Sequence, residues 1–150
     1  GNAFWMATNN TSIDQGFVRY VDSGIGIATW YLPLPFNLAS APLWSASVYC
    51  MSNTTGASNV VLSAAGRVTG HGGTPNAALT LLATSGVYTL VAAGSLNIIA
   101  LSGGNWDSVV ALSQTGWLQL ELIRHANTAG DTVSSNFDVC GILARMDLLT

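Results

Sequence analysis

The residues that could carry acid–base or nucleophilic chemistry in this sequence are few and scattered. There are two histidines, His71 and His125, and seven acidic residues, none of them paired at a spacing that suggests glycosidase carboxylates. A hydrolytic site needs a nucleophile and an orienting carboxylate around its histidine, and neither histidine stands in such a motif. The glycine-rich stretch "GHGG" around His71 lacks the lysine of a phosphate-binding loop. We therefore expect a protein that is not an enzyme and has no catalytic residues.

Metal and cofactor binding are not predicted either. Cys50 and Cys140 lie in separate strand-like runs, and neither has a second cysteine or histidine at ligand spacing beside it. No loop has the acidic pattern of a calcium site. The two cysteines leave two alternatives open, a disulfide between them or a pair of buried free thiols.

An arginine gives the most informative signal. In the run "WLQLELIR", residues 117–124, three leucines alternate with polar or bulky residues and so share one face of a predicted strand. The next residue on that face is Arg124, and a cation that continues an apolar row needs a partner. We predict a structural ion pair of Arg124 with Asp131 or Asp138, because a guanidinium can bind a carboxylate through two parallel hydrogen bonds. The alternative is that Arg124 lies at the exposed end of the strand without a partner.

The elements that would position these residues are all strands and turns. No run shows a helical period over three turns, and turn pairs at Ser85-Gly86, Gly94-Ser95 and Gly103-Gly104 separate strand-sized pieces. Short strands at this spacing indicate a β-sandwich or a barrel, and an all-β, jelly-roll-like antiparallel β-sandwich is favoured. The length fits a single domain over residues 1–150, with an extended N-terminal arm as an alternative for residues 1–16. The predicted strands cover 17–23, 25–32, 43–52, 59–65, 77–83, 86–93, 95–102, 107–113, 117–125 and 137–146.

The composition predicts a surface that is poor in charge. Charged residues make up 7% of the chain, against about a quarter in an average soluble domain. The net charge is −3 and no basic cluster is present, which argues against a nucleic-acid partner. The tract from Val68 to Trp106 carries no charged residue, but its turn pairs divide it into pieces too short for a helix that spans a bilayer. We expect no membrane insertion.

Residues 117–146 combine three features in a fixed order. An aromatic-led apolar strand ends in arginine, an Asp-Thr pair follows in a loop of small residues, and an aspartate precedes an apolar strand that contains glycine. This order resembles the C-terminal part of β-sandwich domains on tailed-bacteriophage virions, such as tail-fibre, head-fibre and capsid decoration domains. The resemblance implies a compact jelly-roll-like domain, commonly trimeric, without catalytic residues. The chain departs from the pattern in lacking lysine and in having no aromatic residue in its final "MDLLT". The matching positions are Trp117, Arg124, Asp131, Thr132, Asp138 and Gly141.

The favoured function is that of a non-enzymatic structural protein on a phage virion, a decoration, head-fibre or tail-fibre appendage exposed on the extracellular particle. Its expected partners are other virion proteins and copies of itself, as a homotrimer. Self-association is expected because runs such as "NVVLSAA", "LNIIALS" and "VCGILARM" place apolar residues on both faces of a strand, and monomers rarely expose large apolar patches. The alternative is a lectin-like adhesin that binds host-surface glycans through its five tryptophans and four tyrosines. Such residues more often fill a core or an interface, so the sequence names no ligand-binding residue.

Overall fold

A computed structural model describes residues 4–10, 13–22, 24–33, 43–54, 56–70, 79–105 and 116–146 of the chain. These residues form nine β-strands. The strands are β1 Phe4–Asn10, β2 Ile13–Tyr20, β3 Ile25–Pro33, β4 Leu43–Ser52, β5 Ser58–Gly70, β6 Thr80–Leu90, β7 Asn97–Asn105, β8 Gly116–His125 and β9 Phe137–Met146.

The strands form two antiparallel sheets that pack as a β-sandwich. Sheet A has the order β1-β2-β9-β4-β7, and sheet B has the order β3-β8-β5-β6. Six of the eight connections between consecutive strands cross from one sheet to the other, which is the winding of a jelly roll. The predicted all-β, jelly-roll-like antiparallel sandwich is therefore confirmed.

Alternate residues of each strand build the core between the sheets. On β4 the inward residues Ala46, Val48 and Cys50 are buried, and on β8 the three leucines that were predicted to share a face are buried as well. Full burial of a leucine side chain contributes about 1.5–3 kcal/mol. The period-two pattern of the sequence thus places β8, with Arg124 at its end, against the centre of the core.

Tyr20 on β2 ties the two sheets together across the core. Its hydroxyl donates a hydrogen bond to the carbonyl oxygen of Leu122 on β8 at 2.9 Å, and its ring lies 6.0 Å from that of Phe137. The ring also packs directly on β3, because a Cβ added at Gly26 would lie 2.7 Å from Tyr20 Cδ1. Glycine is therefore needed at position 26 for the sheets to approach this closely.

Two of the three predicted turns are bulges inside continuous strands. Ser85-Gly86 lies within β6 and Gly103-Gly104 within β7. At both places the register against the neighbouring strand shifts by one residue, which is how a bulge accommodates an extra residue without ending the strand. The separate strands predicted at 77–83 and 86–93 are wrong, since 80–90 is a single strand. The third predicted turn is confirmed, with Gly94 at a φ of 69° that favours glycine.

The N-terminal residues take part in sheet A. Strand β1 pairs with β2 from Phe4 opposite Arg19 to Asn10 opposite Ile13, so much of the segment 1–16 for which an extended arm was the alternative is a β-hairpin. The strand predicted at 107–113 lies outside the described residues.

Candidate functional site

Arg124 lies fully buried at the end of β8, in line with the inward row of leucines. Its Nε donates to Asp131 Oδ2 at 3.1 Å, and its Nη2 donates to Asp131 Oδ1 at 2.8 Å. The Asp131 side chain is only 1% exposed, so the two groups form a bidentate pair away from water. Of the two carboxylates predicted as partners, the structure brings Asp131 to Arg124.

The same guanidinium binds backbone carbonyls from two loops. Nη2 donates to the carbonyl oxygen of Val133 at 2.7 Å, and Nη1 lies 3.3 Å from that of Ser135, both in the loop between β8 and β9. Nη1 also lies 3.4 Å from the carbonyl oxygen of Val21, which follows β2. Arg124 therefore holds the β8–β9 loop against the end of β2.

Asp131 and Thr132 continue the hydrogen bonding of β5 beyond the end of β8. Asp131 Oδ2 accepts the N–H of Val61 at 3.0 Å. Thr132 donates its N–H to the carbonyl oxygen of Asn59 and accepts the N–H of Asn59 on Oγ1, both at 2.8 Å. Because every one of these groups is bonded within the protein, the cluster is built to fix the loop and offers no open position to a ligand.

Asp138, the second predicted partner, binds a different arginine. Arg19 on β2 lies directly opposite Asp138 on β9, and its Nε and Nη2 each donate to one carboxylate oxygen at 2.8 Å. The hydrogen bond to Asp138 raises the pKa of Arg19. The guanidinium also lies 4.9 Å from the centre of the Phe17 ring, within cation–π range. Asp138 thus fixes the pairing of β2 with β9.

A serine–histidine pair lies on the outer face of sheet B. Ser63 Oγ and His125 Nε2 are 2.7 Å apart, a distance that would suit a nucleophile and its base. Ser63 is only 2% exposed, and the other side chain bonded to the imidazole is Ser85, at 3.4 Å. Over the described ranges no carboxylate binds the His125 ring, so the pair lacks an orienting group. His71 lies outside the described residues.

Both cysteines are free thiols, but only one is buried. Cys50 is buried and Cys140 is exposed, so the alternative of two buried thiols is correct for Cys50 alone. The register places Tyr49 opposite Gly141 and Cys50 opposite Val139, which leaves Cys140 as the extra residue of a bulge. Burial raises the pKa of Cys50 to about 12. Among the residues that the structure describes, no three His, Cys, Asp or Glu side chains come close enough together to hold a metal ion.

The four most exposed aliphatic side chains of the described residues belong to the edge strands β6 and β7 and to the segment that joins them. Strands β6 and β7 lie at the ends of their sheets and pack beside each other. Val91 is 75% exposed, Ile98 62%, and Val87 and Leu96 58% each. The tract from Val68 to Trp106 has no charged residue, so this edge lacks the charges that usually keep edge strands from pairing. We call these four side chains the β6–β7 edge.

A hydrogen-bonded row of polar side chains crosses the outer face of sheet B. Arg67 Nη2 on β5 donates to Gln119 Oε1 on β8 at 2.7 Å. Gln119 Nε2 donates to Glu121 Oε1 at 3.2 Å, and Thr29 Oγ1 on β3 donates to the same oxygen at 3.3 Å. These four residues, which we call the polar row, are held in place by one another.

Two exposed aromatic rings flank the polar row. Tyr31 on β3 lies opposite Gln119 and is 60% exposed, and Trp117, two residues before Gln119 on β8, is 56% exposed. Cross-strand neighbours offset by two residues are about 7–8 Å apart. The outer face of sheet B therefore presents two adjacent aromatic surfaces with fixed polar groups beside them.

Sequence reasoning named the aromatic residues as a group but did not single out this pair. The positions of Tyr31 and Trp117 are 86 residues apart in the chain, and only the pairing of β3 with β8 brings them together. One signal was available: Trp117 alternates out of phase with the leucines that follow it, which predicts an outward side chain. By the same rule, Trp30 points inward and packs against the core.

Comparison with known proteins gives structural likenesses without a sequence family. No family model matches the chain, and no curated protein matches it. The structure of the Gt strain of infectious bursal disease virus is similar with a TM-score of 0.46 and 12% identity, over 96% of this chain and 32% of that one. Within the described residues, no helix is long and apolar enough to cross a membrane.

Two further solved structures are similar at the same level. Tailspike protein 4 of bacteriophage CBA120, in its enzymatically active domain, gives a TM-score of 0.45 and 11% identity, over 97% of this chain and 18% of that one. A carbohydrate-binding module of the β-sandwich superfamily gives 0.46 and 14%, over 100% of this chain and 55% of that one. The chain thus spans about a third of the viral chain and less than a fifth of the tailspike chain. Likenesses this distant carry no functional assignment, and the jelly roll is established by the strand order alone.

Proposed function

We propose that this domain is a non-enzymatic structural component of a bacteriophage particle, which assembles with copies of itself through the β6–β7 edge. The observation that carries the proposal is the exposure of Val87, Val91, Leu96 and Ile98, between 58% and 75% each, on an edge without charge. The order of features in residues 117–146, which resembles phage virion domains, supports the particle as the setting.

The physical reason for self-association is the cost of leaving this edge in water. Burial of apolar surface contributes about 25 cal/mol per Å², and four large aliphatic side chains lie within one stretch of about a dozen residues. An edge strand also presents backbone N–H and C=O groups that a neighbouring strand can bind. A second copy of the chain offers both an apolar surface and a strand edge, so it fits the β6–β7 edge better than a charged partner would.

A closed ring of three subunits is the expected assembly. Homo-oligomers usually close by rotational symmetry, and three copies whose β6–β7 connections meet around one axis would cover the apolar side chains of each. The order of three rests on the phage resemblance, whereas the association rests on the exposed edge.

Light scattering coupled to size-exclusion chromatography at micromolar concentration tests the association. We expect a particle of three 15.5-kDa chains and a shift to monomer for Ile98→Lys. The matched control is Ile27→Lys, which changes a 46% exposed residue on β3, the strand at the opposite end of sheet B, and should leave the assembly intact. A stable wild-type monomer would refute self-association, a dimer would refute the trimer, and dissociation by Ile27→Lys alone would refute the assignment of the edge.

The proposed location on a phage particle is tested on purified particles. An antibody raised against the domain should label intact, purified particles of the phage whose genome encodes this chain, as seen by immunogold electron microscopy. Detection of the protein only in the soluble fraction of infected cells, and not in particles, would contradict a virion role even if the protein is trimeric.

A further inference from the structure

We propose that the outer face of sheet B binds a neutral oligosaccharide along the polar row, with its sugar rings packed on Tyr31 and Trp117. The inference does not depend on the proposed virion role or on self-association. It depends on the two exposed rings and on the polar groups that the fold fixes beside them.

The two aromatic rings supply the stacking surface that a sugar requires. One face of a pyranose presents C–H groups, and the face of an aromatic ring carries the negative part of its quadrupole. Tyr31 and Trp117 are more than half exposed although each is large enough to contribute substantially to a core. Side chains this exposed bury little surface in the isolated domain, whereas a ligand with an apolar face and a polar rim can pack on both rings.

The polar row supplies hydrogen-bonding groups at the rim of that surface. Both described hydrogen bonds to Glu121 use Oε1, which leaves Oε2 to accept a ligand hydroxyl. Gln119 donates one of its two amide hydrogens to Glu121, so the second can be donated to a ligand. Because Gln119 is held by Arg67 on one side and Glu121 on the other, little side-chain entropy is lost when a ligand binds.

The charge of the face indicates a neutral ligand. Arg67 and Glu121 carry opposite charges and are linked through Gln119. Arg67 is only 7% exposed, so a ligand meets the free oxygen of the Glu121 carboxylate before it meets the guanidinium. A glycan that carries carboxylate or sulfate groups would be repelled there, whereas the hydroxyls of a neutral glycan are suitable donors to the carboxylate.

The length of this face along β8 indicates a ligand of more than one sugar unit. From Trp117 to Glu121, β8 extends for about 14 Å at the usual rise of a strand, which is longer than one sugar ring. The two rings lie on β3 and β8, and β5 separates these strands from β6. Glycan binding and self-association can therefore be tested separately.

The experiment is a screen of the wild-type protein on an array of neutral oligosaccharides of glucose, galactose, mannose and N-acetylglucosamine, followed by calorimetry with the best binder. We expect at least a tenfold weaker association for Trp117→Ala and for Tyr31→Ala. For Glu121→Gln, which keeps the Oε1 contacts but removes the charge, we expect a smaller loss together with reduced discrimination against acidic glycans. Leu143→Ala, which removes a 44% exposed side chain of β9 on sheet A that belongs neither to this face nor to the β6–β7 edge, is the matched control and should bind like the wild type.

Three results would overturn the proposal. One is the absence of binding by the wild type to every neutral oligosaccharide of the array. Another is undiminished binding by folded Trp117→Ala and Tyr31→Ala proteins. The third is a change of oligomeric state in Trp117→Ala without any glycan binding by the wild type, which would show that this face packs against another copy of the chain. None of these results bears on the virion role, which is tested on particles.

Discussion

Replacement of Arg124 by alanine tests whether the buried ion pair holds the loops of one end of the sandwich. The substitution removes both hydrogen bonds to Asp131 and those to the carbonyl oxygens of Val21, Val133 and Ser135. Asp131 would keep only its backbone donors, on a carboxylate that is 1% exposed. We expect a large loss of stability because a buried charge is left without its counterion.

The size of the loss follows from the contacts. Each charge-assisted hydrogen bond contributes about 1.5–3 kcal/mol, so the two to Asp131 would give about 3–6 kcal/mol if they were simply added. Water that enters the vacated space solvates the Asp131 carboxylate in part, which lowers the cost. Broken buried pairs lose on the order of 3–5 kcal/mol, a large part of the roughly 5–15 kcal/mol that stabilises a domain.

Urea denaturation followed by tryptophan fluorescence, at one fixed protein concentration, gives the free energy of unfolding of each variant. Arg145→Ala is the matched control, because Arg145 is exposed and should cost less than about 0.5 kcal/mol. Arg124→Lys keeps the charge but loses the bidentate geometry, so an intermediate loss is expected. A loss below about 0.5 kcal/mol for Arg124→Ala, the level of a surface change, would refute the reasoning.

Two further predictions concern ionisable groups of the core. A thiol reagent at neutral pH should label exposed Cys140 in the folded protein and leave Cys50 unlabelled until the protein is unfolded. The reason is that Cys50 is buried and its pKa is raised to about 12. Mass spectrometry of the labelled protein shows which thiol reacted, and rapid labelling of Cys50 would contradict its burial. Burial also raises the pKa of Tyr20. In alkaline solution the Tyr20 hydroxyl and the Cys50 thiol therefore lose their protons in the unfolded chain before they do so in the folded protein. The free energy of unfolding should consequently fall as the pH rises from about 9 toward 12. Urea titrations across that range should show a shallower decline for Cys50→Ala, and an equal decline would contradict the contribution of the thiol.

The part of the fold that could be predicted from the sequence is the part governed by local alternation. Strands β4 and β9 have the predicted bounds, 43–52 and 137–146, because turn residues or a clear change of pattern border both runs. The pairs Ser85-Gly86 and Gly103-Gly104 have the composition of turns, but the neighbouring strand continues past them, and its hydrogen bonds keep the chain extended through a bulge. Strand β1 was not predicted, since its "TNN" ending has the composition of a turn and its pairing with β2 is what makes it a strand.

The candidate sites show the same division. Arg124 could be found from sequence because an arginine in phase with buried leucines implies a buried partner, and Asp131 lies only seven residues away. The sequence could not show which aspartate binds Arg124 and which binds Arg19, because this depends on which residue of β2 lies opposite Asp138. The pair of rings on sheet B depends in the same way on the register between β3 and β8.

The strand order also determines when this domain can fold during its synthesis. Strand β8 lies between β3 and β5, and β9 lies between β2 and β4, so the two described strands that come last in the chain occupy an interior position in each sheet. Until they leave the ribosome, β3 is not joined to β5 and β2 is not joined to β4. Arg124 and Asp131 are then not yet available to hold the loops. The pairs β1–β2, β4–β7 and β5–β6 can form earlier, but the two sheets cannot be completed until β8 and β9 have been synthesised. If the domain self-associates as proposed, assembly between copies would follow completion of the sandwich.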